Sequence, residues 1–323
     1  MGTAASPIAE LLRSGSLAPA ERVFVGASVL PWREAQACWQ QWLKAPTIPT
    51  NGEDLLPLLG ARRSLFSPAA PLELNRKMGV SELLEQQRGA ALQDILGTLL
   101  GQLQPANVQP IVLDGHQRPG RVLRHTACIS LLFDGKRNLL AAAKALHLGS
   151  EEKCGVSFNW IHPSGLPRNM YAVAPPGLAT LNHAQLYATA QKGKAGGVSF
   201  VHLGGAEELV MAAVSYCRNG QLRWIADAGL LVAGDSLAPD HLRQLARRNP
   251  LVTYALGLVL NTLENELALT AAAKLRDALP KRPLSPRQMA QVAMALVGRR
   301  SLFSLRQPLL LKARLAWWLL TTR

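Results

Sequence analysis

Seven histidines (116, 125, 147, 162, 183, 202 and 241) and four cysteines are the side chains of this chain best suited to hold a metal or attack a substrate. None of the histidines recurs at a spacing that would bring two imidazoles onto one ion, and no HExxH is present. Cys38, Cys128, Cys154 and Cys217 form no CxxC pair, and each lies in an apolar stretch. They read as buried free thiols, which fits a reducing, cytosolic compartment. Two histidines stand at places where α/β proteins often bind ligands. His116 lies in the loop Asp114-Gly-His-Gln-Arg-Pro-Gly-Arg121, and His162 opens a Pro/Gly-rich stretch reaching Leu178. A surface-loop role is the simpler account of both.

Gly234-Asp235-Ser236-Leu237 spells the signature of GDSL esterases, whose serine needs a histidine base far downstream. The last histidine here is His241, so no such base exists, and helix capping accounts for Asp235 and Ser236. Neither a GxxxxGK[ST] loop nor a strand-led GxGxxG occurs. Gly204-Gly205 is followed at once by Glu207-Glu208, whose carboxylates would repel a phosphate. No catalytic residue, metal ligand or cofactor is therefore assigned.

The charge pattern is more telling. Nine of the cations behind the formal net charge of +14 lie between Lys281 and Arg323, where no Asp or Glu occurs. Arg306, Lys312 and Arg314 lead into Trp317-Trp318, an aromatic pair beside cations. Such an end suits an anionic partner: an acidic protein, an anionic membrane face or a nucleic acid. The alternative is a tail packed on the body with its cations solvated. The hexapeptide Arg62-Arg63-Ser-Leu-Phe-Ser67 recurs as Arg299-Arg300-Ser-Leu-Phe-Ser304. Each copy offers two guanidiniums beside a phenyl ring, a patch able to grip phosphates, although a shared helix-exit sequence also explains the repeat. The candidate binding residues are Arg62, Arg63, Arg299, Arg300, Arg306, Lys312, Arg314, Trp317 and Trp318.

The elements that would position these residues follow from pattern. Helices are expected near the N-terminus after Ser6-Pro7, over 31–44 with Trp39 and Trp42 on its inner face, and over 81–103. Strands are expected over 22–30, 110–113, 121–133, 155–161 and 196–203, with a helix over 136–148 and another ending near 191. Asn219-Gly220 between the apolar runs 209–216 and 221–225 predicts a hairpin with a type I′ turn, followed by a third run at 229–232. A helix through Arg248, an amphipathic helix over 251–279, a capped helix after Ser285-Pro286-Arg287-Gln288 and a final helix over 309–321 complete the chain. No uninterrupted apolar run is long enough to span a bilayer, and no signal peptide is recognised.

The strand Val198–Leu203, the expected hairpin Leu209–Leu222, the helix after it and the basic, Trp-containing end resemble the cytoplasmic actin-like modules of inner-membrane platform proteins of type IV pilus and type II secretion machines. In that family a strand, a hairpin with an Asn-Gly or Asp-Gly turn, and a helix recur ahead of a basic juxtamembrane segment. The resemblance implies a role in protein assembly in a bacterial pilus or secretion machine, and transfers no functional residue.

The expected fold is α/β: a mixed sheet with flanking helices, a more helical N-terminal lobe and a basic helical C-terminal tail. The corresponding divisions are 1–105, 106–280 and 281–323. The expected function is that of a non-enzymatic cytoplasmic adaptor or assembly factor, docked on an acidic protein or at an anionic membrane face. The alternatives are a nucleic-acid-binding protein and an enzyme with a cleft near His116 and His162.

Overall fold

A computed structural model describes residues 16–114, 128–147, 157–161, 167–172, 178, 183–195, 197–234, 237–281, 284–285, 287–289 and 291–292. The chain is mixed α/β, and its contacts group it into two units, 1–53 with 209–323 and 54–208. This grouping cuts across the division by composition. The helices before Glu53 associate with the residues after 209, whereas the long helix preceding the sheet belongs with the sheet.

In the first unit, α1 (Pro19–Val29) and α2 (Trp32–Trp42) pack together and enclose Phe24, Trp39 and Trp42. The indoles of Trp39 and Trp42 lie 5.1 Å apart, so the pair serves the core, as their spacing predicts. Residues 22–30 were expected as a strand and are helical instead. Pro19 sits in the first turn, and the Glu21 carboxylate accepts the Ala18 N–H. The run Val23–Val29 is buried throughout, and an apolar run with no polar face has no period to separate strand from helix.

The second unit opens with α3 (Leu56–Arg62) and α4 (Leu72–Leu103). Next come β1 (Ile111–Asp114), β2 (Ile129–Leu132), α5 (Gly135–Ala145), β3 (Ser157–Ile161) and β4 (Pro167–Tyr171). After α6 (His183–Thr189) come β5 (Gln191–Ala195) and β6 (Val198–His202). The six strands lie in the order β3-β4-β2-β1-β6-β5. The β1–β6 and β2–β4 pairs are parallel, and β1–β2, β3–β4 and β5–β6 are antiparallel. Leu92, Leu96, Leu100 and Leu103 of α4 join Val112, Ile129, Leu131, Met170 and Phe200 of the strands in one core. β4 corrects the expected loop over 162–178, because Pro167 stands at the end of a strand, where a missing N–H is tolerated. The helix expected to end near 191 ends at Thr189, and β5 after it is an element the pattern does not predict.

The remaining elements belong mainly to the first unit: α7 (Gly205–Asn219), α8 (Leu222–Ala233), α9 (Pro239–Arg248), α10 (Pro250–Asn265) and α11 (Thr270–Ala278). The expected hairpin over 209–225 and the run at 229–232 are therefore helical. Gly220 does have the positive φ (65°) that Asn-Gly suggested, but it terminates α7, its N–H bonding to Tyr216 O at 2.8 Å. A left-handed glycine ends a helix as readily as it turns a hairpin. The one amphipathic helix expected over 251–279 is two, broken at Glu266–Leu269 with Ala268 at φ 54°. Ser285 and Gln288 form the predicted capping box, with N–H to side-chain distances of 2.9 and 3.3 Å. The expected N-terminal helix, the strand portion 121–127 and the final helix over 309–321 lie outside the described residues.

Tyr187 on α6 fastens that helix to the sheet end, its hydroxyl lying 3.0 Å from Gln109 O and 3.2 Å from Leu132 O. Burial, reinforced by the Asp134 carboxylate, pushes its pKa up from 10.0 to about 12. The neutral phenol is thus the form that the fold favours. Its contribution is complete below pH 10 and is lost as pH climbs towards about 12. Burial shifts Tyr216 in the same direction. Urea unfolding from pH 9 to 12 is expected to show a fall in stability above about pH 10 that is shallower in Tyr187→Phe; identical slopes would contradict this.

Candidate functional site

Of the nine candidate binding residues, Arg62 and Arg63 are described; Arg299, Arg300, Arg306, Lys312, Arg314, Trp317 and Trp318 lie outside the described residues, as do His116, His162, Asp235 and Ser236. The two arginines come at the end of α3, which runs into a 3-10 turn at Arg63–Leu65. Gly60 lets α3 lie against α4: a Cβ there would stand 2.5 Å from Met78 O and 2.8 Å from the Glu82 Cβ. Only a residue without a side chain fits that approach.

Closeness of the two backbones determines what the arginines do. Arg63 donates to Gly60 O at 2.7 Å and to the Glu82 carboxylate, and its guanidinium lies across α4 beside Gly79. Arg62 is half-buried, its guanidinium carbon 5.7 Å from the centre of the buried Phe66 ring. Desolvation lowers its pKa from the usual arginine value. Both cations are thus engaged within the unit. Arg63 in particular already holds a carboxylate where a phosphate would have to bind.

The face of α4 beside them is unusual. An amphipathic helix buries one stripe and turns polar residues outward. α4 buries Met78, Glu85, Gly89, Leu92 and Leu96 along one stripe, yet Leu72, Val80, Leu83 and Leu84 on the opposite side are 53–72% exposed. Leu72, Arg76, Val80 and Leu84 follow one another at four-residue steps and so form a single ridge. Leu83 and Gly79 lie along one side of it, and Glu73 and Lys77 along the other. The apolar ridge then stops. Further along, the outward positions are Gln87, Ala90, Asp94 and Thr98, an ordinary solvated face. The helix expected over 81–103 contains Leu83 and Leu84 but not Leu72 or Val80, so the ridge is not legible from it; the signal is apolar residues on both sides of a helix reaching back to Leu72.

Other groups are accounted for locally. Glu207, buried at the start of α7, accepts a 2.7 Å hydrogen bond from the Thr189 hydroxyl. The His202 ring is buried with Nδ1 2.9 Å from Leu203 O. Cys38, Cys128 and Cys217 are free thiols, and burial, with Glu34 nearby, raises the pKa of Cys38, the opposite of an activated thiolate. Among the described residues no group of three His, Cys, Asp or Glu side chains converges as a metal site, and no helix is long and apolar enough to cross a membrane.

Comparison of the chain with family models, curated proteins and solved structures finds no match in any of the three.

Arg63 and Arg76 differ in what their removal should do. Arg63→Ala strips Glu82 and Gly60 O of a shared donor and is expected to lower unfolding free energy by about 1–2 kcal/mol. Arg76→Ala, on the exposed ridge, should stay within about 0.5 kcal/mol of the parent. Urea titrations compare the two; equal effects would contradict this division of roles.

Proposed function

We propose that this protein is a non-enzymatic adaptor or assembly factor that docks on an acidic protein partner through the outward face of α4. The single observation carrying the proposal is the exposed ridge Leu72–Val80–Leu84 with Leu83, confined to the first half of a helix whose other face is fully committed to the unit's interior. Contiguous exposed leucines are costly in water and on a folded surface mark contact sites. Arg76 stands within the ridge, which matches an anionic partner better than a purely apolar one.

A second reading concerns the C-terminal segment and is favoured by its nine cations without a counter-charge. Such a segment is suited to an anionic membrane face, each cation near the surface contributing about 1 kcal/mol. The two readings are compatible, since one uses α4 and the other the tail. Nucleic-acid binding has less support, because Arg63 is paired with Glu82 and Arg62 is half-buried over Phe66. The place in a pilus or secretion machine that the resemblance implies has no hairpin to rest on, because Leu209–Leu222 lies in α7 and the start of α8.

A photo-crosslinking amino acid in place of Leu83, introduced into the chain in its native cells, should trap one defined protein. The same group at Leu140, an isolated exposed leucine on α5, should not. Indistinguishable products from the two positions would remove the docking proposal. For the second reading, flotation with vesicles containing phosphatidylserine should recover the full chain and not a chain ending at Pro308; equal recovery would remove that reading.

A further inference from the structure

We infer that the sheet edge at β5 receives an extended acidic segment of another protein as an added strand, its alternate carboxylates paired with Lys192 and Lys194; this surface is separate from the outward face of α4. β5 ends the strand order and is bonded on one side only, to β6. Ala195 faces Val198 across a two-residue loop at 196–197. The pair closing such a loop is hydrogen-bonded, and bonded pairs alternate along an antiparallel ladder, so Gly193 and Gln191 also bond to β6. Lys192 and Lys194 therefore turn their N–H and C=O groups to the open side. Among the described residues neither takes part in a further hydrogen bond or an ion pair, and both are exposed. Their side chains lie on the solvent side of the sheet, while Gly193 and Ala195 share the other side with Phe200, against α4. A Cβ at Gly193 would stand 2.7 Å from the Phe200 ring, so no side chain projects there to hinder an incoming strand.

Charge selects the occupant. From Ala184 to Ala206 the chain carries two lysines and no Asp or Glu, and the residues opposite Lys192 and Lys194 on β6 are Val201 and Ser199. Nothing on the ladder answers the two cations. A strand laid antiparallel on this edge sets residues two apart directly opposite the lysines, with side chains on the same face, and carboxylates there form cross-strand ion pairs. Uncharged or basic strands gain no such pairs, so the lysines that admit an acidic strand also guard the edge against others. A second copy of this chain is among those refused. Opposed residues of an antiparallel ladder share a face, so a twofold pairing of β5 centred on Gly193 sets each lysine against the other lysine of the second copy. Centred on either lysine, it sets that residue against itself. Like charges directly opposite one another destabilise a ladder. The open backbone thus supplies adhesion, and the lysines supply specificity.

Two fluorescein-labelled peptides of about eight residues, alternating Thr and Val, test this by anisotropy against the purified full chain. Two of the Thr, two positions apart, are replaced by Glu in one peptide and by Lys in the other. The Glu peptide should bind roughly tenfold or more tightly than the Lys peptide, and Lys192→Glu/Lys194→Glu should invert the order. Circular dichroism should be unchanged by that double substitution, because both positions are exposed. N-methylation of the two Glu amides should abolish binding, whereas N-methylation of the Val between them, whose N–H points away from β5, should not. Leu83→Ser/Leu84→Ser on α4 should leave both affinities as they were. Equal affinities for the two peptides, binding of neither, or an order unchanged by the double substitution overturns the inference. Equal binding of the two N-methylated peptides, or loss of binding in the α4 variant, overturns it as well. Sedimentation equilibrium of the chain alone should show no dimer that Lys192→Pro dissolves; such a dimer would overturn the inference in favour of β5 pairing between copies. The photo-crosslink at Leu83 decides the α4 proposal independently.

Discussion

Two backbones meet at Gly60 at a distance no side chain could share, and much of the second unit's surface follows from that contact. With α3 pressed onto α4 at Met78 and Glu82, the chain leaving α3 carries Arg62 and Arg63 directly across α4. Arg63 is then held by a carbonyl of its own helix and a carboxylate of the next, while Arg62 covers Phe66. A larger residue at Gly60 would separate the helices and release both cations. The same contact commits Met78 and Glu85 to the inner side of α4, which turns Leu72, Val80, Leu83 and Leu84 outward. An exposed apolar ridge is thereby a consequence of how the inner side is packed, and it persists because the opposite stripe is already occupied.

Energetic roles along α4 differ between its halves. In the second half, Leu92, Leu96, Leu100 and Leu103 meet the sheet, and burial of several leucines in one core supplies the kind of stabilisation that defines a unit, about 1.5–3 kcal/mol for each fully buried side chain. In the first half the helix packs along α3, with Gly60 against Met78, Met78 fully buried and Arg63 paired with Glu82. A helix whose inner stripe is held by α3 can present its outer stripe to a partner without disturbing the sheet. This is the physical basis for reading the first half as an interaction element.

The proposed division of labour also accounts for polar groups that resemble catalytic candidates. Glu207 with Thr189, and His202 with the Leu203 carbonyl, are satisfied within the unit at the sheet end. Burying a carboxylate without such partners would cost several kcal/mol, so its hydrogen bond to Thr189 serves the fold. Tyr187 does similar work by closing α6 onto the ends of β1 and β2.

Sequence alone determined what depends on local chemistry. The α/β class, the strands around 111 and 198, the helix carrying Trp39 and Trp42, the capping pair Ser285 and Gln288, and the cationic C-terminal end were all legible, because each rests on residues near one another in the chain. Asn219-Gly220 was legible as a reversal, but the same left-handed glycine serves a hairpin and a helix end, so neighbouring apolar runs could not decide between them. The run at 23–29 is buried throughout and carries no period, and in 209–216 only Met211 and Ser215 are less than buried, too few to set one. Only the tertiary structure decided that they are helices. It also assigned Arg63 to Glu82 and turned the leucines of α4 outward, since which face of a helix is buried depends on what packs against it.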